Sequence, residues 1–165
     1  MRPVALGTAA ICLLGLNGCE GGSGSGQAIS GPPPTYQNIS GSYAGPVTAT
    51  NTGLALTGTM YLFLTQNDGV LGGSYAVVGD LDESGAVDRV TLLGSIEKGS
   101  LTTGSNPTVQ FDLRPVGCPA AAQVNTGVYS DADGTITLDP ANIPVQDLAC
   151  VDLARSVSGT VVLAP

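Results

Sequence analysis

Between residues 54 and 96, apolar and polar side chains alternate in three successive runs. In the first (54–65), Leu54, Leu56, Gly58, Met60, Leu62 and Leu64 hold the even positions, and threonine dominates the odd ones. A period of two puts alternate side chains on opposite faces, so the run predicts a half-buried strand. Residues 70–78, rich in glycine and β-branched side chains, predict a second. In 87–97, Val90, Leu92, Gly94 and Ile96 alternate with Arg89, Thr91, Ser95 and Glu97, which predicts a third. A tight turn at Asn67, Asp68 and Gly69 joins the first two, and an acidic loop over 80–88 joins the second to the third, giving a meander. Gly58, Gly72, Gly73 and Gly94 count against helix throughout.

Five further strands are predicted. One covers 39–47, with Ile39, Gly41 and Tyr43 alternating against polar neighbours. Another covers 109–114, with Val109, Phe111 and Leu113 inward. Strands over 124–130 and 135–138 flank a hairpin turn at Asp131, Asp133 and Gly134, and the last covers 156–163. Residues 143–149 are expected to make one short helical turn. The fold class is therefore all-β, a small up-and-down antiparallel β-barrel of about eight strands. With an even strand number the first and last run antiparallel and can pair, removing both sheet edges. A two-sheet β-sandwich of the same strands is the alternative.

Ahead of the barrel, Arg2 precedes an apolar run from Val4 to Leu16. That is shorter than the ~20 residues a membrane-spanning helix needs, and it predicts a signal peptide over residues 1–18. The run ends in Leu16, Asn17, Gly18 and Cys19, which resembles the lipobox of bacterial lipoproteins. The resemblance implies cleavage before Cys19, lipidation of its sulfur and acylation of the new amino group. Residues 19–35 then form a tether, flexible where glycine and serine dominate and stiffer at Pro32, Pro33 and Pro34. Residues 36–165 are left as one domain of ordinary size.

Composition narrows the chemistry. Thirteen acidic side chains stand against four basic ones once Arg2 is set aside, so nucleic acid is not an expected partner. There is no histidine, which removes Ser-His and Cys-His mechanisms, and the one lysine, Lys98, is expected on a turn. No catalytic residue is assigned, and the chain is not expected to be an enzyme. Cys118 and Cys150 are the only cysteines of the domain. In an exported chain such a pair is most simply a disulfide.

The acidic loop offers oxygen ligands at Asp80, Asp82, Ser84 and Asp88, with Gly85 for a sharp turn and the Ala86 carbonyl as a fifth oxygen. This spacing resembles the calcium loops of FG-GAP repeats, which implies a structural Ca²⁺ pinning the third and fourth strands. The same residues are also what a plain solvated hairpin turn uses. Gly41, Ser42 and Tyr43, followed by Asp68, Gly69, Leu71, Gly72 and Tyr75, resemble the start of avidin-family barrels. The tryptophans that line that family's biotin pocket are missing, so the resemblance implies barrel shape and no ligand.

Together these features predict a lipid-anchored protein of the bacterial cell envelope, at the outer membrane or its periplasmic face. Its expected role is binding or scaffolding, with a small apolar ligand or another envelope protein as partner. An inhibitor of an envelope protease or lysozyme is the alternative, with residues 115–124 as the presenting loop. A hollow interior lined by Leu56, Met60, Leu62 and Val90 would favour the small ligand.

Overall fold

The structure, a computed structural model, describes residues 32–118, 121–145 and 155–165. The signal peptide, Cys19 and the tether up to residue 31 lie outside the described residues, as does Cys150. Eight strands follow in chain order: β1 (Gly41–Asn51), β2 (Leu54–Asn67), β3 (Val70–Glu83), β4 (Ala86–Leu101), β5 (Thr108–Pro115), β6 (Gln123–Ser130), β7 (Thr135–Pro144) and β8 (Ser156–Leu163). Each pairs antiparallel with the next, and β8 returns to β1, so the sheet is a closed barrel in up-and-down order. Closure rests on Val47 opposite Val161 and Thr50 opposite Ser158, and on reciprocal backbone hydrogen bonds of 2.7 and 2.9 Å between Ala44 and Ala164. The two-sheet sandwich is thereby excluded.

The period-two pattern decides which side chains fill the inside. Leu56, Met60, Leu62 and Leu64 of β2, Tyr75 and Val77 of β3, Ile96 of β4 and Val109, Phe111 and Leu113 of β5 are buried. With Ile136, Leu138, Val157, Val161 and Leu163 they form one contiguous apolar cluster, with Val90 and Leu92 packed against it half-buried. An eight-stranded barrel is just wide enough for side chains to fill, and here large apolar ones do so. β2 and β3 place Gly58 directly opposite Gly79, where the two backbones approach too closely for a side chain. A Cβ on either would collide with the backbone of the other strand.

Two inward tyrosines carry the polar exceptions. The Tyr43 hydroxyl donates to the Ile39 carbonyl at 2.8 Å, whereas the buried Tyr75 hydroxyl has no hydrogen-bond partner. Burial pushes both phenols above the ordinary tyrosine pKa, Tyr75 further; the nearby Tyr129 adds to the rise at Tyr43.

One mouth, called near, carries the Asp68–Gly69 turn, the β4–β5 and β6–β7 connections and the chain that arrives from the tether. Ile39, predicted inside the first strand, instead precedes β1 and plugs this mouth, 1% exposed. The other mouth, called far, carries the β1–β2 and β3–β4 turns and the β5–β6 and β7–β8 connections.

Other differences from the sequence pattern have local causes. β4 does not end in a turn at Lys98. It continues to Leu101 through a bulge in which Lys98 takes φ 49° and the register to β5 shifts. β7 runs past Leu138 to Pro144 across an irregularity at Asp139–Pro140, so Ile143 and Pro144, expected in a helical turn, are strand. The rest of that expected turn, residues 146–149, lies outside the described residues.

Candidate functional site at the far rim

The β3–β4 hairpin dominates the far rim. The expected acidic loop is not a loop: β3 continues to Glu83, β4 begins at Ala86, and only Ser84 and Gly85 turn the chain. Both have positive φ, 54° and 90°, the combination a two-residue type I′ hairpin demands. Asp82 Oδ1 accepts the Gly85 N–H at 2.8 Å and so braces the turn from within.

This register disperses the five expected calcium ligands. Asp80 stands opposite Arg89, Leu81 opposite Asp88 and Asp82 opposite Val87. Directly paired residues share a face, so Asp80 and Asp82 lie on the barrel's outer face. Asp88 lies with Leu81 on the inner one. Ser84 and Ala86 remain at the tip. Among the described residues no three acidic, cysteine or histidine side chains converge as a metal cluster. Asp80 instead meets the Arg89 guanidinium at 3.4 Å, and Glu83 meets that of Arg155 at 2.8 Å. Asp88 is exposed and in no ion pair of the described residues.

The hairpin also outreaches its neighbour. β5 ends at Pro115, opposite Gly94, and the Val116 N–H donates to the Leu93 carbonyl at 2.9 Å before the chain departs. No described strand flanks the outer edge of β4 from residue 86 to 92. Along an antiparallel strand, successive residues direct their N–H and C=O alternately to either side. The Leu93 carbonyl faces β5, so Val87, Arg89 and Thr91 direct theirs to the open edge, while Asp88, Val90 and Leu92 bond to β3. The inner face beside this edge shows half-buried Val90 and Leu92; the outer face shows Val87, 63% exposed. Sequence reasoning missed this edge, although unequal strand lengths announce it. Alternation runs through β4 for far longer than through β5.

Elsewhere on the rim, Ser84 N–H donates to the Gly53 carbonyl at 3.1 Å, and an open recess of about 350 Å³ lies between the two hairpin tips, bounded by Asn51, Leu54, Asp82 and Ser84. Cys118 is buried in the β5–β6 connection. Tyr61 and Phe63, at odd positions of β2 beside the threonines, are on the outer wall and partly exposed.

No family, curated protein or solved structure matches the chain. Function is therefore argued from the residues and geometry above.

Proposed function

We propose that the protein is a lipid-tethered protein of the bacterial envelope that scaffolds or binds another envelope protein through its barrel surface, without enzymatic activity. The filled interior carries this reading. Leu56, Met60 and Leu62, which a hollow barrel would offer to a small apolar ligand, are packed within one cluster with Phe111 and Tyr75. Binding then falls to the outside.

The lipobox residues Leu16 to Cys19 supply the anchor, since several acyl chains on one residue hold a protein at a bilayer stably. A Cys118–Cys150 disulfide belongs to the same reading. The connections that carry the two cysteines both leave the barrel at the far mouth, flanking β6 and β7. Their bridge would close a loop of about 33 residues and stabilise by roughly 3–4 kcal/mol on the chain-entropy argument.

Inhibition of an envelope protease or lysozyme is the second reading. It draws on Val116, 72% exposed at the start of the connection expected to present residues to a target. Buried Cys118 and Ala121 hold that connection against the barrel, which argues for a shorter presenting surface than an inhibitory loop uses.

Fractionation tests the anchored reading. The wild type is expected in the membrane fraction and the detergent phase, and Cys19→Ala as an uncleaved or mislocalised precursor. A soluble wild type without lipid would contradict it.

A further inference from the structure

The open edge of β4 is the feature that the barrel's closure does not account for. β5 pairs with β4 only from Gly94 to Leu101. Among the described residues no strand pairs with residues 86–92 on that side, roughly 23 Å of strand at ~3.3 Å per residue. Unpaired N–H and C=O groups in a row are a template for another strand. Natural edges are usually blunted by proline, a bulge or a lysine row. Residues 86–92 carry no proline, bulge or lysine, and the β3–β4 register is unbroken from Gly73 to Glu83; the inward-pointing Asp88 is the one guarding charge, and it selects against an added strand that cannot neutralise it.

We propose that this edge receives an extended segment of a partner protein that alternates apolar and polar residues and carries lysine or arginine, adding a ninth strand beside β4. The proposal rests on the surface-binding reading and specifies the partner's chemistry.

The two faces of the edge determine that chemistry. An added strand bonds to Val87, Arg89 and Thr91, and its inward side chains lie over Asp88, Val90 and Leu92. Val90 and Leu92 are half-buried and would be completed by apolar neighbours. Asp88 has no ion-pair partner among the described residues, and Asp82 on the outer face has only the Gly85 N–H. A cationic side chain at that level meets an unneutralised carboxylate. The hairpin's arginine, Arg89, is already engaged by Asp80, and Arg155, just before β8, by Glu83.

A second copy of the chain fits less well. A twofold axis through the sheet keeps inner faces inner, so a residue of even number must oppose one of even number. The available registers set Arg89 against Arg89, or centre on Val90 and set Asp88 against Leu92. Both bring two acidic hairpins together.

The test uses the full lipidated protein in non-ionic micelles and a synthetic probe of about nine residues, within ordinary strand length. The probe alternates threonine and valine and ends in lysines; a control replaces the lysines by glutamates. Amide exchange is read residue by residue, and affinity by fluorescence anisotropy. The lysine probe is expected to bind at least ~tenfold more tightly than the control and to slow exchange at the Val87, Arg89 and Thr91 amides. Thr91→Pro removes an edge-facing N–H and leaves the bonds to β3 in place, because proline is tolerated where its nitrogen faces the open side. It should abolish binding while the melting temperature holds.

Equal binding of the two probes, unchanged exchange at the three amides, or unchanged binding by Thr91→Pro each overturns the proposal. So does a concentration-dependent dimer that protects the same amides without probe. If Thr91→Pro fails to fold, Val87→Pro serves as the equivalent block nearer the tip. Because the readout is at named amides, its failure leaves the result for the lipid anchor untouched.

Discussion

Gln66 holds Ile39 in the near mouth. Its Oε1 accepts the Ile39 N–H at 2.8 Å, while Nε2 donates to the carbonyls of Gln37 at 2.8 Å and Asp68 at 2.7 Å. One side chain thus ties the plug to β2 and to the turn that follows it. Tyr36 completes the clasp by packing its ring against Gly69, where a Cβ would collide with it. Gln66→Ala is expected to cost about 1–3 kcal/mol, since it leaves the buried Ile39 N–H without its acceptor. Urea unfolding would measure the loss. Hydrogen exchange should show the Ile39 amide opening well before the strands.

Asn125, 0% exposed, takes over strand pairing where β6 and β7 part. The ladder between them runs from Ser130 opposite Thr135 to Gly127 opposite Leu138. Beyond it, Asn125 Oδ1 accepts the Asn142 N–H at 2.7 Å and Nδ2 donates to the Asn142 carbonyl at 3.0 Å, a side-chain copy of a backbone pair. Nδ2 also donates to the Gln123 carbonyl at 3.0 Å. Asn125→Ala is expected to destabilise by about 2–4 kcal/mol in thermal or chemical unfolding. Asn125→Asp should do worse at neutral pH, because it turns a carboxylate oxygen toward two carbonyls.

Tyr75→Phe should leave stability unchanged or raise it by up to about 1 kcal/mol, because it removes a buried hydroxyl that has no partner. The same burial sets an alkaline limit. A phenol whose pKa is raised in the fold keeps its proton there after the unfolded chain has lost it, so stability falls as pH climbs past the unfolded tyrosine value of about 10. Phenolate absorbance against pH is expected to show late ionisation of Tyr75, coinciding with unfolding in wild type and missing from the variant.

Millimolar calcium is expected to leave the melting temperature where it is, because Asp80 and Asp82 are on the face opposite Asp88. Asp82→Ala should instead lower stability by about 1 kcal/mol through loss of the brace on Gly85. A calcium-dependent rise in melting temperature that Asp82→Ala removes would restore the ion-binding loop.

The barrel was legible because its signal is local. Alternation in β2 and β5, and the turn residues around Gly69 and Gly134, fix face and direction within a few residues. What escaped depends on register. Ser84 and Gly85 look like part of a nine-residue acidic loop until Leu81 is known to pair with Asp88; only that pairing sends the carboxylates to opposite faces. Lys98 in a bulge and Asn125 as a surrogate strand share this cause, since each answers to a neighbour far along the chain. The open edge of β4 is likewise a statement about β5, whose early end takes it away.

The central claim is that a lipid-anchored barrel with a filled interior acts through its surface. Native mass spectrometry of the protein purified from its own envelope tests it most directly. The expected mass is that of the chain from Cys19 onward with acyl groups on that residue, and with no small apolar molecule retained in stoichiometric amount. An unacylated mature chain, or a bound ligand released only on unfolding, would contradict the account.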